Sequence, residues 1–503
     1  LVWTARDQEE YSELTMGKNA RSTANGQQST SRLATIDYRL AALTFILGGL
    51  LSSCASYYQT NYEFNRAFES GQIEPALQTL RGNARQANGR DRFLYFVNKG
   101  LVLSMLGKYE ESNDFFEKAY LFWEDFKIDY FSEGASYLLN PTITVYRGED
   151  HEHLMLLYYK ALNFLKMRKI DDALVECRRL NIRLQQLSDR YRSNNNYKHD
   201  AFINNLMGII YDADKDYNNA FIAYRNSLDS YKNEYEQMFQ LRAPQQLKKD
   251  LLRTAWLSGL TQEFEQYKAE FMMEDYQFKK NDGAELIFFW HNGLAPFKAE
   301  WSVNFSIDHN AGNLLIFSNQ QLGLSFSFPK SNYSQDQLQG LARMKFFRVA
   351  FPRYIERPTF YDKAEIEVEG VKYGLELAEN INKIAFKVLE ERMAFEFGKA
   401  LARVAIKKAS EYALRKEDKN MGALLGIFNM LSEKADTRNW QTLPHSIYYA
   451  RVPLPVGETT IRLNLESKSS QPRDQSFSYR VTDGQVLYHT FTSLEFAYPN
   501  YQH

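Results

Sequence analysis

The sequence predicts an α+β multidomain protein: an N-terminal all-α array of helical hairpins, then a sheet-rich α+β domain carrying a helical insertion. Three observations predict it. From Asn98 to about residue 271, small and large apolar residues recur at the spacing of crossing helices. After the turn signal Asn281-Asp282-Gly283 the pattern changes to that of strands. A helical stripe returns between residues 375 and 416, and strands then resume. The 503 residues suffice for two or three cores of ordinary size. A chain that is 44% hydrophobic and 24% charged is globular in composition. A net charge of −1 provides no field for nucleic acid or an acidic polymer, and Lys and Arg are scattered.

The N-terminus reads as an address. Residues 32–39 are basic and polar, and an apolar run of 12 residues, 40–51, follows. Ser52-Ser53-Cys54-Ala55 closes it. Charge, short apolar core and small residues in that order make a signal peptide over 32–53. The run is too short to span a bilayer, which takes about 20 residues. Leu51-Ser52-Ser53-Cys54 resembles a lipobox, so Cys54 is expected to carry the lipid that anchors the mature chain to a membrane. Ala55, rather than Asp, points to the outer membrane, with the protein facing the periplasm. Residues 1–31 are polar and read as a mis-annotated or disordered leader. The other cysteine, Cys177, reads as a core residue at a helix contact.

Residues 54–275 carry the helical repeat. Gly100, Leu103, the turn Gly107-Lys108-Tyr109, Ser112, Phe116 and Ala119 alternate small and large, as in a tetratricopeptide (TPR) hairpin. Ala161, Phe164, Ile170, Ala173, Cys177 and Leu180 repeat the frame. So do Gly208, Tyr211, Asp216-Tyr217, Ala220, Tyr224 and Ser227. A weaker copy turns at Gly71-Gln72-Ile73, and a fifth pair begins at Pro244, a residue suited to a first helical turn. Turn residues Ile73, Tyr109, Ile170 and Tyr217 lie 36, 61 and 47 positions apart, so the array is a TPR-like solenoid with insertions. Stacked hairpins leave a concave face, and Tyr109, Tyr211, Tyr217 and Tyr224 are the candidates for gripping a partner there.

Residues 281–495 read as a β-sandwich-like domain with the helical insertion at about 375–434. Strands are expected over 285–290, 299–307, 313–317, 322–328, 346–352, 363–371, 446–453, 459–466, 477–482 and 485–490. In the insertion, Ala385, Val388, Leu389, Met393, Phe397, Leu401, Val404 and Ala405 form one stripe, expected to pack inside the molecule. A shorter helix is expected over 421–433.

Chemistry-bearing motifs are few. Glu149-Asp150-His151-Glu152-His153 is the densest cluster, and as the start of a helix it reads as helix capping and solvated charge rather than a metal site. In Asp436-Thr437-Arg438-Asn439-Trp440, Arg and Asp are expected to pair while Trp packs. That turn (Asp436, Arg438, Trp440) and Asn292, Gly293, Pro296 and Lys298 are the surface candidates of the C-terminal domain. No nucleophile elbow, phosphate loop or zinc-protease motif occurs, so no catalytic residue, metal ligand or cofactor is assigned.

Several stretches together resemble a family of bacterial TPR-bearing envelope lipoproteins of unknown function. They are Gly148-Glu149-Asp150-His151-Glu152, 158–165, 172–179, 292–298, Ala435-Asp436-Thr437-Arg438-Asn439-Trp440 and Thr442-Leu443-Pro444. Where that family has Tyr after Gly-Glu-Asp, this chain has His151. Such proteins often sit beside lipoproteins similar to penicillin-binding-protein activators. The resemblance implies a non-enzymatic scaffold or accessory factor in envelope assembly, with envelope proteins as partners. The alternative is an envelope hydrolase acting on glycan or peptide through a carboxylate site.

Overall fold

The computed structural model describes residues 57–126, 144–190, 197, 199–278, 283–342, 346–417, 434–468 and 470–497. Cys54, the signal segment and the helix expected over 421–433 lie outside the described residues.

Five helical hairpins come first among the described residues: α1 (Tyr62–Glu69) with α2 (Ile73–Gly82), α3 (Arg92–Met105) with α4 (Tyr109–Phe126), α5 (Asp150–Lys166) with α6 (Ile170–Arg190), α7 (Ala201–Ala213) with α8 (Tyr217–Ser230), and α9 (Gln245–Leu257) with α10 (Thr261–Glu270). The second helices of four pairs begin at Ile73, Tyr109, Ile170 and Tyr217, the turn residues read from the sequence. Each pair also packs on the next in chain order. The crossings need glycine for a geometric reason. A Cβ on Gly100 would sit 2.7 Å from the Phe116 ring, and one on Gly208 would sit 2.4 Å from the Tyr224 ring.

All five turns are built alike. The residue after the turn donates its N–H to a carbonyl five positions back: Gln72 to Ala67, Lys108 to Leu103, Lys169 to Phe164, Asp216 to Tyr211 and Leu260 to Ala255. This closure requires a left-handed residue just before it. Gly71, Gly107 and Gly259 fill that position in three turns, whereas Arg168 (φ 58°) and Lys215 (φ 64°) fill it in the other two.

Three four-stranded sheets follow. The first has the order β12–β1–β9–β8, with β1 (Ala284–Asn292), β8 (Glu376–Asn380), β9 (Ser446–Leu454) and β12 (Val486–Ser493). β12 runs parallel to β1, and the other pairs are antiparallel. The second is β11–β10–β6–β7, with β6 (Lys363–Val368), β7 (Val371–Gly374), β10 (Gly457–Ser467) and β11 (Ser470–Val481). The third is β4–β3–β2–β5, with β2 (Phe297–Asp308), β3 (Leu314–Asn319), β4 (Leu324–Pro329) and β5 (Phe346–Ile355). The expected strands are present, except that 363–371 is broken at Glu369-Gly370, whose left-handed backbone turns the chain so that β6 pairs with β7. The segment 376–380, expected to be helical, is instead strand β8. Its Glu-Leu-Ala-Glu composition favours a helix, and pairing with β9 overrides that local preference. After the short helix α11 (Gln335–Ala342), the long helix α12 therefore starts at Ile381 and runs to Glu417.

The side chains of β1 show how the parts join. Ala284, Leu286, Phe288 and Trp290 point into an apolar layer shared with Ile366, Ile461, Leu463 and Val481 of the second sheet. Ile287 and Phe289, on the opposite face, belong to the same core as Tyr158, Phe202 and Leu206 of the helices. Secondary structure changes near residue 281, as expected, but the core runs across that point. The stripe of α12 packs inside the molecule: Phe397, Leu401 and Val404 lie on Phe305, Val349 and Phe351 of the third sheet. No helix among the described residues is long and apolar enough to cross a membrane.

Among the described residues, the concave face expected of the hairpins is covered rather than open. The inner helices α3, α5 and α7 are buried along nearly their whole length. The first sheet and the segment 434–445 occupy the face the hairpins would otherwise present. The Trp440 ring lies 6.2 Å from Phe116 and 6.0 Å from Tyr159, and Tyr158 meets Phe289 at 6.1 Å. The physical reason is apolar area: α5 carries large apolar residues on every side, and only a second cover buries them all.

Candidate interaction site

The residues singled out from sequence divide into three groups. The first group serves architecture. Tyr224 is wholly buried under Gly208, so it is not a partner-binding residue. Tyr211 is half-buried and hydrogen-bonds the Cys177 thiol, which burial pushes up to about 12.

The second group was expected on the surface of the C-terminal domain and proves to be the seam between helices and sheets. Asn292, Gly293, Pro296, Lys298, Arg438 and Trp440 are all buried. Asn292 Nδ2 donates to the Tyr361 carbonyl at 2.8 Å, and Gly293 takes the left-handed backbone (φ 65°) that its turn needs. Pro296 accepts from Asn439 Nδ2 at 2.9 Å. Arg438 pairs with half-buried Asp436 at 2.7 Å, as expected, and also with Asp91 of the α3 N-cap at 3.0 Å. Trp440 donates its backbone N–H to Glu152 at 2.6 Å.

At the start of α5, Glu149 and Glu152 form a capping box, so the expected capping is present, but the charges expected to be solvated are buried because the segment lies in the seam with Lys298, Arg392 and Trp440. Glu149 also pairs with Lys298 at 2.5 Å and with Arg392 of α12. Burial, reinforced by Glu149, pushes the Glu152 carboxyl up to about 7. Asp150 pairs with Arg183 at 2.5 Å, and His153 Nδ1 lies 3.0 Å from the same guanidinium. Burial pulls His151 and His153 down to about 4 and about 3, leaving both neutral. Glu149, Asp150, Glu152 and His153 are thus engaged in fastening α5 to its surroundings, whereas the buried His151 Nδ1 has no hydrogen-bond partner among the described residues.

The third group, Tyr109 and Tyr217, stands at two neighbouring cavities between the hairpin turns and strand β12. The first, about 500 Å³, is lined by Gly107, Tyr109, Tyr159, Lys166, His291, Phe477 and residues of β12 from Tyr488 to Thr492. Among the described residues, none that lines it is acidic. Lys166 closes α5, where the helix dipole favours a cation. It donates to Thr490 Oγ1 and lies 5.2 Å from the Tyr109 ring centre. Burial pulls its amine down to about 7. His291 hydrogen-bonds Tyr158 at 2.8 Å, and His489 stacks on Phe288 at 5.0 Å. Burial first, and then the Lys166 charge, hold both imidazoles neutral, at about 3 and about 4.

The second cavity, about 410 Å³, is lined by Arg168, Lys215, Tyr217, Arg253, Arg451, Val486 and Tyr488, with Asp212, Glu285 and Asp483 among the acids. Arg451 spans Glu285 (2.5 Å), Asp212 (2.6 Å) and Asp250 (2.9 Å), and Arg253 also pairs with Asp212. Arg168 and Lys215 are exposed. Sequence reasoning missed Lys166, Arg168, Lys215, His291 and His489. A signal for two of them was present: Arg168 and Lys215 stand where the other turns have glycine.

No protein-family model matches the chain, and no curated protein matches it. Among solved structures, MamA (residues 41 to the end) from Desulfovibrio magneticus RS-1 is 18% identical, covering 43% of this chain and 93% of that one at a TM-score of 0.27. A second MamA structure is 12% identical, covering 44% and 94% at a TM-score of 0.27. BtubC from P. vanneervenii is 17% identical, covering 50% and 91% at a TM-score of 0.29. Scores at this level carry no inference about what the chain does.

Proposed function

We propose that the protein is a lipid-anchored accessory factor of the bacterial cell envelope, and that its work is protein binding. Cys54 holds it to the membrane, the outer one, on the periplasmic side. Its TPR-like hairpins serve as a frame rather than an open groove, and it engages envelope proteins at the cavities beside β12. The observation that carries this reading is the convergence there of hairpin-turn residues, Tyr109 and Tyr217 among them, on a sheet edge that no other strand covers among the described residues. The order of signal, small residues and cysteine supports the anchor. The alternative, an envelope hydrolase, has less behind it: Asp212 and Glu285, both at the second cavity, are tied up by Arg451.

Two measurements test the reading. Cys54→Ser is expected to release the protein into the soluble fraction and end labelling by a fatty-acid analogue; persistent labelling refutes the anchor. Cross-linking in intact cells, followed by detergent extraction and mass spectrometry, is expected to recover envelope proteins attached near Tyr109 or Tyr217. Recovery of none refutes the binding role.

A further inference from the structure

Strand β12 ends its sheet, with β1 on one side and no strand on the other among the described residues. The direction of its backbone groups follows from two hydrogen bonds. Glu285 N–H donates to the Gln485 carbonyl, and Gly293 N–H donates to the Ser493 carbonyl, both at 2.9 Å. Alternate residues of a strand turn their N–H and C=O to opposite edges. The odd-numbered residues from 485 to 493 therefore face β1. Val486, Tyr488, Thr490 and Thr492 turn theirs outward, and all four line one or both cavities. Such an edge is a template for another strand.

Cations stand at two points along it; of the acids at the second cavity, Asp212 and Glu285 are paired with Arg451, and Asp483 is exposed. Lys166 sits against Thr490 in a cavity lined by no carboxylate. Four residues along, Arg168 and Lys215 line the cavity that Val486 borders. Those two cations occupy left-handed turn positions at a conformational cost that glycine avoids in the sister turns. Side chains of Val486, Tyr488 and Thr490 lie on the helical face of the sheet, the face these cations occupy. Residues on an added strand with the same facing recur every second position, and Val486 to Thr490 spans about 13 Å at ~3.3 Å per residue.

We infer that the open edge of β12 receives an extended acidic segment of a protein partner as an added strand, with one carboxylate against Lys166 and a second, four residues away, beside Arg168 and Lys215. This rests on the protein-binding reading above and specifies its mode. Main-chain hydrogen bonds supply affinity, and the two cationic points set register and sequence preference.

The test uses the full chain in detergent micelles and synthetic nine-residue peptides of alternating threonine and valine, read by fluorescence anisotropy. A peptide with glutamates four positions apart is expected to bind at least tenfold more tightly than one with glutamates three apart. Three apart puts them on opposite faces of a strand but on one face of a helix. N-methylation of alternate amides should abolish binding in one phase and leave it within twofold in the other. Lys166→Met should weaken binding about tenfold, one charge-assisted contact. Thr492→Pro removes an outward N–H while sparing the ladder to β1, and should weaken binding by a similar factor. Failure of the peptides to bind, indifference to glutamate spacing, tolerance of both methylation phases, or self-association of the chain through this edge overturns the inference. If Thr492→Pro leaves capture of cross-linked envelope proteins unchanged, the added strand is refuted and the binding role stands. If the unmodified chain captures none, both fall.

Discussion

Arg168→Gly and Lys215→Gly separate folding from binding at the hairpin turns. Both residues hold left-handed backbone, at φ 58° and 64°, where the other three turns have glycine at 73–74°. A side chain in that region costs roughly 1–2 kcal/mol. Replacement by glycine relieves the strain but loosens the unfolded chain, which returns about 0.4–1 kcal/mol. The balance is neutral to stabilising by up to ~1.6 kcal/mol per site. The two sites lie on different hairpins, so the effects should nearly add. Gly107→Lys runs the other way: its turn is built alike, so it should cost about 1 kcal/mol. Guanidinium unfolding of the full chain, followed by tryptophan fluorescence, reads the difference. The same Arg168→Gly and Lys215→Gly variants should bind the four-spaced acidic peptide more weakly. The reasoning fails if either glycine variant loses more than ~1 kcal/mol, since the side chain would then contribute to the fold itself.

Gly208→Ala is expected to destabilise by about 1–3 kcal/mol, because its Cβ would lie 2.4 Å from a ring that is wholly buried; an unchanged midpoint would show that Tyr224 can move. Trp440→Ala should cost roughly 3–5 kcal/mol and expose 434–445 to proteolysis, since the indole fills the space between Phe116 and Tyr159. Glu152 gives a pH signature. Its folded carboxyl titrates at about 7 and its unfolded one near 4.5, so between these values the folded state holds a proton the unfolded state has released. This group's contribution is present below about pH 4.5 and is lost as pH rises through 7, at ~1.4 kcal/mol per unit. Glu152→Gln should flatten that slope while weakening the cap; a slope that persists assigns the titration elsewhere.

Much of the local structure was legible because it depends on neighbours in sequence. A helix or strand announces itself by the period of its apolar residues, so the second-helix starts at Ile73, Tyr109, Ile170 and Tyr217 and the run of strands could be read directly. Helix capping by the 149–153 cluster and the Asp436–Arg438 pair were also legible, since both depend on residues within a few positions, whereas the burial of that cluster was not. The segment 376–380 misled for the same reason: its composition is helical, and the partner that makes it a strand lies some 70 residues away at β9.

By itself, then, the sequence determined which segments fold into hairpins and strands, where the hairpins turn, and the ordered signal that makes Cys54 the expected anchor. Only the tertiary structure decided what covers each apolar face. It filled the hairpins' inner side with β1, β9 and Trp440, buried Tyr224 under Gly208, and buried Lys298 and Arg438 in the seam. It also gathered Lys166, Arg168 and Lys215 around an uncovered strand edge. Periodicity specifies that a face must leave water, but contacts between residues hundreds of positions apart choose what it meets.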